Sequence, residues 1–451
     1  MPEARGLPIF GTIFSLAASG WAGRLHEYVD ERHKELGPVF RDRIGPVRAV
    51  FVNSPKEFLR IYRLEGPTPR HFLPEAWVLY NDVRRLRRGL LFMDGEEWLH
   101  FRKILNKLML RTSPMSYMVD PCEEAAKGLA SRWRLYADNE KSVPELNAEL
   151  YHWSIEAMLA TLLGPLWHQE GAYVMKEAGN LPKCLHKIFE YSAQLSLLPA
   201  QLAMRLRLPA WRKFVNAADE ALGIVRALVP IMARHNAEGG LLKMMMDEGI
   251  RGDDLVRIVA DLVLAAGDTT AYSMQWALFL LGSHPEIQER LYGRIKGLKG
   301  ERLLQDSFLK GVLKETLRLY PTAPFLTRYL AEDNFIGGYS VSKEDLILMS
   351  LYSSGRDSSN FVEPDAFHPE RWIRTEKGNY DYMPNPHASL PFALGVRSCV
   401  GRKLAQTQMM LAIAKLVETF RITCTNQDRV RMILHLISVP SEPIQLSLTR
   451  R

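Results

Sequence analysis

Cys399 lies in a sequence context that suits chemistry. Residues 392–402, Phe-Ala-Leu-Gly-Val-Arg-Ser-Cys-Val-Gly-Arg, directly precede a run with helical periodicity. A helix N-terminus and the cation of Arg397 both favour a thiolate over a thiol, and Gly395 and Gly401 let the backbone approach a flat cofactor closely. Because a thiolate axial ligand favours O–O cleavage at a haem iron, the pattern predicts that Cys399 binds haem iron. The alternative is a buried free cysteine before a helix.

This segment resembles the haem-binding loop of the cytochrome P-450 family, and two motifs upstream extend the resemblance. Glu315-Thr-Leu-Arg318 is similar to the family's Glu-x-x-Arg pair, whose members share one helix face. Residues 367–372, Phe-His-Pro-Glu-Arg-Trp, resemble the segment in which Arg371 joins that pair. A buried charge pair needs such a further partner. The resemblance implies haem b as the cofactor and a structural role for Glu315, Arg318 and Arg371, although Glu-x-x-Arg alone is usually a solvated surface pair.

Residues outside the cysteine loop are also predicted to hold the haem. Trp98-Leu-His-Phe-Arg102 resembles the family's Trp-x-x-x-Arg helix, in which both side chains face a haem propionate. Arg397 and Arg328 are further candidates for this role, since guanidinium matches carboxylate geometry. Phe392 opens the loop that the resemblance assigns to haem binding. Taken by itself, Trp98 would be expected in the hydrophobic core.

A segment in the middle of a long predicted helix resembles the family's oxygen-binding sequence. Residues 265–270 are Ala-Ala-Gly-Asp-Thr-Thr, where the family usually has Ala/Gly-Gly-x-Asp/Glu-Thr-Thr. The resemblance implies that Thr269 holds dioxygen and that Asp268 relays protons. A glycine beside polar residues also weakens the helical hydrogen bonds, which would open a notch for O₂ and water. Ala266 departs from the usual glycine, and the alternative is a bend that serves packing.

Basic residues near two of these motifs resemble the mitochondrial, ferredoxin-dependent branch of the family. The segment Lys310-Gly-Val-Leu-Lys314 lies just before Glu315, and the basic pair Arg402-Lys403 follows the cysteine loop. The resemblance implies an acidic iron-sulfur ferredoxin, with its reductase, as the electron donor. It also implies a peripheral location on the matrix side of the mitochondrial inner membrane. A solvated helix face is the alternative for Lys310 and Lys314.

The substrate is predicted to be a small lipophilic molecule, a steroid or ecdysteroid, that is hydroxylated with O₂. Running similarity in residues 73–102 and 261–285 loosely resembles the arthropod mitochondrial hydroxylases of ecdysteroid synthesis, of the shadow type. Family segments that line the substrate pocket correspond to Trp77, Met93, Leu264, Ala265, Ala323, Phe325 and Val439. Each of these could equally be a core residue. The sequence leaves open the exact substrate, the carbon attacked and the oligomeric state.

The elements that must position these residues are mainly helical, with small β elements. A helix is predicted at 24–36, and residues 38–45 and 47–52 form β-rich runs around a Gly-Pro turn, which suggests a hairpin within the first ~65 residues. Helical periodicity then dominates, with the longest helix from Asp253 to about Leu281 and others near 310–320 and 404–420. A strand is expected at 444–448. Without linkers or repeats, residues 1–451 are interpreted as one haem-thiolate domain.

Composition excludes several other classes of protein. The net charge of +7 is modest, and without blocks of Lys and Arg interleaved with aromatic residues it does not indicate nucleic-acid binding. Four scattered cysteines make a disulfide scaffold unlikely. The apolar run 7–18 is too short for a membrane span and is expected to lie on a surface. Two alternatives to a monooxygenase stay open: a haem-binding carrier or sensor without turnover, and an enzyme that rearranges peroxides.

Overall fold

The computed structural model describes residues 1–8, 10–45, 47–113, 117–139, 142–196, 199–235 and 239–451. The helices in these residues are α1 (Ile13–Ala18), α2 (Leu25–Leu36), α3 (Pro55–Leu64), α4 (Glu75–Arg84), α5 (Gly95–Leu105), α6 (Val119–Asn139), α7 (Leu146–Leu163), α8 (Trp167–Ala178), α9 (Leu181–Leu195), α10 (Ala200–Arg205), α11 (Pro209–His235), α12 (Leu241–Asp247), α13 (Gly252–Ser283), α14 (Pro285–Ile295), α15 (Gly300–Gln305), α16 (Ser307–Leu319), α17 (Leu351–Gly355) and α18 (Arg402–Thr419). The strands are β1 (Val39–Ile44), β2 (Val47–Val52), β3 (Phe325–Arg328), β4 (Asn334–Ile336), β5 (Tyr339–Val341), β6 (Leu346–Ser350), β7 (Phe420–Cys424), β8 (Met432–His435), β9 (Ile437–Pro440) and β10 (Leu446–Arg450).

Helix α13 forms the centre of the helical part. Two aspartates in its first turn, Asp253 and Asp254, complement the helix dipole, and Pro285 starts the next helix just after it ends. It is apolar on most sides, as a central helix must be, and packs against α7, α9, α11, α16 and α18. The predicted limits, Asp253 to about Leu281, agree with the observed ones to within two residues.

The β elements form small sheets beside the helices. The largest has the strand order β1-β2-β6-β3, in which β1 and β2 pair antiparallel, β2 and β6 pair parallel, and β6 and β3 pair antiparallel. The predicted hairpin is therefore confirmed, although Pro46 of its turn lies outside the described residues. The strand predicted at 444–448 begins two residues later, as β10, and pairs with β7. The predicted fold class, mainly helical with small β elements, is confirmed.

A buried charge cluster joins α16 to the turn formed by Pro369–Trp372. Arg318 donates to both carboxylate oxygens of Glu315, at 2.9 and 2.7 Å, and Arg371 Nε donates to Glu315 Oε1 at 2.8 Å. The Trp372 indole nitrogen donates to the other carboxylate oxygen at 2.8 Å. Backbone carbonyls satisfy much of the remaining donor capacity of both guanidinium groups, among them Gly355 O. The cluster ties the chain that leads to the cysteine loop onto α16.

Candidate active site

The cysteine loop and α13 face each other across an internal cavity. Cys399, Phe392 and Gly401 line it from the loop, and Ala265 and Thr269 line it from α13. The Cys399 amide donates to Phe392 O at 2.9 Å, which closes the loop around the sulfur. The Cys399 side chain is exposed because it lines this cavity, although the cavity lies inside the protein. The arrangement places a thiol on one wall and a helix with polar residues on another.

Glycine is required at the start of the cysteine loop. Gly395 has a φ of +74°, and a Cβ there would lie 2.0 Å from Glu65 Oε1. That carboxylate accepts a hydrogen bond from the Val396 amide at 2.9 Å. The turn thus depends both on the left-handed backbone and on close approach to a buried acid.

The electrostatic surroundings of Cys399 differ from those expected. Burial raises the pKa of the Cys399 thiol, while the Gly401 amide and the cations of Arg102 and Arg402 act in the opposite direction. Arg397, expected to favour the thiolate, instead donates to Asp94 at 2.5 Å and lies over the Trp98 ring at 4.3 Å. Burial dominates, so ionisation of this cysteine depends on a metal ion that binds the sulfur.

Three buried guanidinium groups lie near the cysteine loop and have too few acidic partners to compensate their charges. Arg102 Nε, Arg328 Nη2 and Arg397 Nε are buried and have no hydrogen-bond partner among the described residues. Burial, together with repulsion from the other guanidinium groups, lowers the pKa of Arg102 and Arg397 to about 10 each. Buried charge of one sign is costly unless an anion compensates it. The cluster fits a ligand with carboxylates, such as the propionates of haem b.

Three residues next to these guanidinium groups were not predicted from the sequence. Glu65 accepts from Arg328 Nε at 2.6 Å, and Tyr62 lies under the same guanidinium. Burial and the cations of Arg397 and Arg328 lower the pKa of His71 to about 3, so this imidazole is neutral beside the cluster. None of the three lies in a motif with a recognisable spacing, because they approach the cluster from other parts of the chain.

Side-chain hydroxyls bind the backbone of α13 around its oxygen-binding segment. Thr269 Oγ1 donates to Ala265 O at 2.6 Å, and Ser154 Oγ from α7 donates to Ala266 O at 2.9 Å. Such bonds compete with the helical ladder and bend helices. Gly267 faces α7, where a Cβ would lie 3.2 Å from the Tyr151 ring, so this glycine provides room for Tyr151 rather than for a ligand in the cavity.

Asp268 does not face the cavity. Its side chain is 1% exposed and lies 3.6 Å from the Nδ1 atom of His186 on α9, whereas the neighbouring Thr269 lines the cavity. Burial raises the pKa of Asp268 despite the opposing effects of His186 and Tyr151. Asp268 and Thr269 therefore lie in different environments, because consecutive residues of a helix project about 100° apart. The predicted roles of Thr269 in holding dioxygen and of Asp268 in relaying protons stay predictions.

The predicted substrate-pocket residues divide between separate places. Trp77 and Leu264 line an apolar cavity between α4, α9, α11 and α13, and Ala265 and Ala323 line the cavity of Cys399. Val439 lines a third pocket, next to Asp268. Met93 is buried, and its carbonyl accepts from Arg397. Phe325 packs edge-on against Phe51, because its position in β3 directs it into the core of the N-terminal sheet.

The two predicted partner-binding lysines differ in exposure. Lys310 on α16 is exposed. Lys314, one turn later, is partly buried, and its ammonium lies 5.4 Å from the centre of the Trp372 ring. Helix α16 packs against α18, which follows the cysteine loop.

The comparisons with known proteins identify the family. Its profile, described as cytochrome P450, matches residues 1–448. The chain belongs to the cytochrome P450 family. This P450 is therefore a monooxygenase whose cofactor is haem b.

Several curated P450 relatives align over nearly the whole chain. "Cytochrome P450 315a1, mitochondrial" of Drosophila melanogaster is 37% identical over 100% of this chain and 88% of its own length. The "1,25-dihydroxyvitamin D(3) 24-hydroxylase, mitochondrial" of Rattus norvegicus is 27% identical over 100% of this chain and 89% of its own length. The "Cholesterol side-chain cleavage enzyme, mitochondrial" of Oncorhynchus mykiss is 28% identical over 94% and 85%, respectively. The chain is thus similar to mitochondrial members of the family.

Proposed function

We propose that this P450 hydroxylates a C–H bond of a steroid or ecdysteroid, using O₂ and two electrons from an acidic ferredoxin. The proposal that the protein binds haem rests on Arg102, Arg328 and Arg397. Their buried guanidinium groups near the cysteine loop have polar atoms without a hydrogen-bond partner among the described residues. The substrate class rests on the names of the relatives, which include a cholesterol side-chain cleavage enzyme and a vitamin D hydroxylase. Residues 1–451 act in this proposal as a single domain.

The residues of the cavity have separate tasks in holding the cofactor. Cys399 would bind the haem iron through its thiolate, and Arg102, Arg328 and Arg397 would bind the propionates. Trp98 and Phe392 would contribute to the same cofactor site. Haem with a thiolate ligand supplies the activation of O₂. Glu315, Arg318 and Arg371 brace the chain between α16 and the loop, so that the sulfur is held in place.

Proton delivery is the task of Thr269 and Asp268. The Thr269 hydroxyl lines the cavity and can donate a hydrogen bond there once it releases Ala265 O. Asp268 is held on the other side of α13, so passing a proton toward Thr269 requires rotation about its Cα–Cβ bond. General acid catalysis of this kind accelerates a reaction by roughly 10²–10⁴-fold.

The apolar cavity between α4, α9, α11 and α13 has a volume of only about 30 Å³, so a steroid would fit there only after its walls move apart. Its walls include Trp77, Leu185 and Leu264, and the charged side chain among them is Arg88. The guanidinium of Arg88 is bonded to Asp261 at 2.9 Å and to Asn81 at 3.1 Å. A pocket of this kind favours a lipid in which a few oxygens fix the orientation.

We expect a 2-deoxyecdysteroid to shift the haem absorption spectrum and to gain one oxygen atom in the reconstituted system. The system contains the haem-loaded protein, a mitochondrial-type ferredoxin and its reductase, and product is measured by mass spectrometry. Product should require both O₂ and the ferredoxin, which separates the proposal from a carrier and from a peroxide-rearranging enzyme. If cholesterol or a vitamin D compound binds and is turned over while every 2-deoxyecdysteroid fails, the ecdysteroid assignment is wrong.

Lys310 is proposed as the main docking residue for ferredoxin, with Lys314 in support. We expect Lys310→Gln to slow reduction by ferredoxin and to flatten its salt dependence, because rim charges act mainly on encounter rate and salt screens them over ~8–10 Å. Lys314→Gln should have a smaller effect, since its ammonium is already engaged with Trp372. Stopped-flow reduction at several salt concentrations measures both.

An exposed lysine on a distant helix provides the control for charge alone. Lys176→Gln on α8 removes the same charge without touching α16 and should leave the reduction rate unchanged. Reduction of the Lys310→Gln, Lys314→Gln double variant at the wild-type rate in low salt would exclude this docking site. The substrate-induced spectrum of every variant should match that of the wild type.

Peripheral association with the matrix side of the mitochondrial inner membrane is proposed from the N-terminal surface. Four large apolar side chains there are more than half exposed: Leu7, Phe10, Phe14 and Trp21. In the described part of the chain, no helix combines the length and apolar character that a membrane crossing needs. Exposed apolar groups of this kind suit contact with a lipid surface or a partner.

A further inference from the structure

A pocket open to solvent lies on the side of α13 opposite Thr269. It is formed by α7, α9, α13 and the β8–β9 hairpin, and its polar lining consists of Asn147, His186, Glu190, Asp268, Tyr272 and His435. The pocket reaches Asp268, which does not line the cavity of Cys399. The buried acid therefore borders a solvent-facing pocket that is separate from the cavity of Cys399.

His186 makes a polar contact with this acid, between its Nδ1 atom and Asp268 Oδ1 at 3.6 Å. His186 is 38% exposed and Asp268 only 1%, so the imidazole lies between the carboxylate and solvent. Both Asp268 oxygens, His186 Nδ1 and the Tyr151 hydroxyl are buried without a hydrogen bond among the described residues. Burying an ionised carboxylate without hydrogen bonds costs folding free energy unless the group is protonated or lies next to a cation. A small rotation of either side chain would bring His186 Nδ1 and the Asp268 carboxylate, which are 3.6 Å apart, within hydrogen-bond distance.

We propose that His186 is a positioning residue that supplies protons from solvent to Asp268. This inference rests on the proposed role of Asp268 in proton delivery. A proton leaves His186 Nδ1 for the Asp268 carboxylate, and the imidazole then takes a proton from water in the pocket. No oxidant or reductant takes part. The protons used in the cavity thus enter from the far side of α13 and never pass the substrate.

The charges around His186 favour its protonated form, which is the form that can supply a proton. Contact with Asp268 raises the pKa of His186, against the effect of burial, and Glu190 on the same helix acts in the same direction. Of the other titratable neighbours, His435 on β8 has a lowered pKa, and burial raises the pKa of Tyr151 and Tyr272. Since the pKa of His186 is raised, its imidazolium persists to higher pH than that of a free histidine. The proton supply is therefore complete at low pH and is lost as pH rises through that raised pKa.

The first test measures the His186 imidazole directly, without turnover. In the diamagnetic reduced carbon monoxide complex of the holoenzyme, labelled with ¹³C in its histidines, we expect His186 to titrate above the ordinary value of about 6.5. The signal is assigned with His186→Gln. In Asp268→Asn the pKa of His186 should fall. A His186 pKa at or below the ordinary value that does not respond to Asp268→Asn would overturn the proposal.

The second test measures product formed per electron pair, with a 2-deoxyecdysteroid as substrate. His186→Gln should lower this ratio by about tenfold, which is less than the roughly 10²–10⁴-fold effect of a direct general acid, because His186 acts through Asp268. Hydrogen peroxide should form the balance. The wild-type ratio should also fall with rising pH, and the variant should lack that step. His152→Gln is the matched control, since His152 Nδ1 lies 3.6 Å from Glu156 on the outer face of α7 and is similarly exposed. Its ratio and pH profile should equal those of the wild type.

Variants of Asp268 and Thr269 distinguish a failure of this inference from a failure of the proposed function on which it rests. Thr269→Ala and Asp268→Asn should both uncouple the enzyme. If Asp268→Asn keeps full coupling, the proposed proton delivery by Asp268 is wrong. If Asp268→Asn uncouples while His186→Gln keeps the wild-type ratio and pH profile, only the inference about His186 is wrong.

Discussion

Cys399→His is expected to abolish the red-shifted Soret band of the reduced carbon monoxide complex. That band depends on a thiolate ligand to the iron, and imidazole cannot donate electron density as a thiolate does. Haem should still bind, because the three guanidinium groups and Trp98 remain in place. The measurement is the difference spectrum of the reduced protein with and without carbon monoxide.

Another buried cysteine provides the control for this variant. Cys184 on α9 is buried, and burial raises its pKa to about 11, so it is an unreactive thiol away from the cavity of Cys399. Cys184→Ala should keep the red-shifted band and lose only packing stability. An unchanged band in Cys399→His would refute the assignment of the iron ligand.

Glu315→Gln is expected to remove much of the stability of the fold. The substitution leaves the buried cations Arg318 and Arg371 without their carboxylate, and breaking a buried pair in this way costs ~3–5 kcal/mol. The whole free energy of unfolding of a domain is only about 5–15 kcal/mol. We expect little folded holoprotein and, where it can be purified, a much lower denaturation midpoint in urea.

A surface glutamate with two arginine partners gives a close comparison. Glu289 contacts Arg421 at 3.1 Å and Arg451 at 2.8 Å, but its side chain is 45% exposed. Glu289→Gln should therefore cost under about 1 kcal/mol. Arg371→Lys, which keeps the charge but loses the planar fork, should fall between the two and serves if Glu315→Gln does not fold. Equal midpoints for Glu315→Gln and Glu289→Gln would show that the buried cluster contributes little.

Local sequence patterns determined the elements of the fold well. The limits of α13 follow from aspartates at one end and a proline after the other, and the hairpin of β1 and β2 follows from two β-rich runs beside a turn. The start of α16 was placed three residues late, because Asp306 caps the helix with a hydrogen bond to the Leu309 amide. These features depend on residues close together in the chain, so the order of amino acids is enough to define them.

Only the tertiary structure decided which way several site residues face. Asp268 turns toward His186, Arg397 toward Asp94 and Trp98, and Phe325 into the N-terminal sheet.

The physical reason is that side-chain direction depends on the elements packed against each residue. His186 is 82 positions from Asp268 in the chain and has no motif around it. The sequence by itself therefore determined the cysteine loop, the long helix and the pairing of Glu315 with Arg318, since each is local or a fixed helical spacing. The tertiary structure brings Arg371 to the same carboxylate from 56 positions away. The packing of α7 and α9 against α13 decided that the acid of the oxygen-binding segment faces a solvent pocket, because helices distant in sequence create that environment.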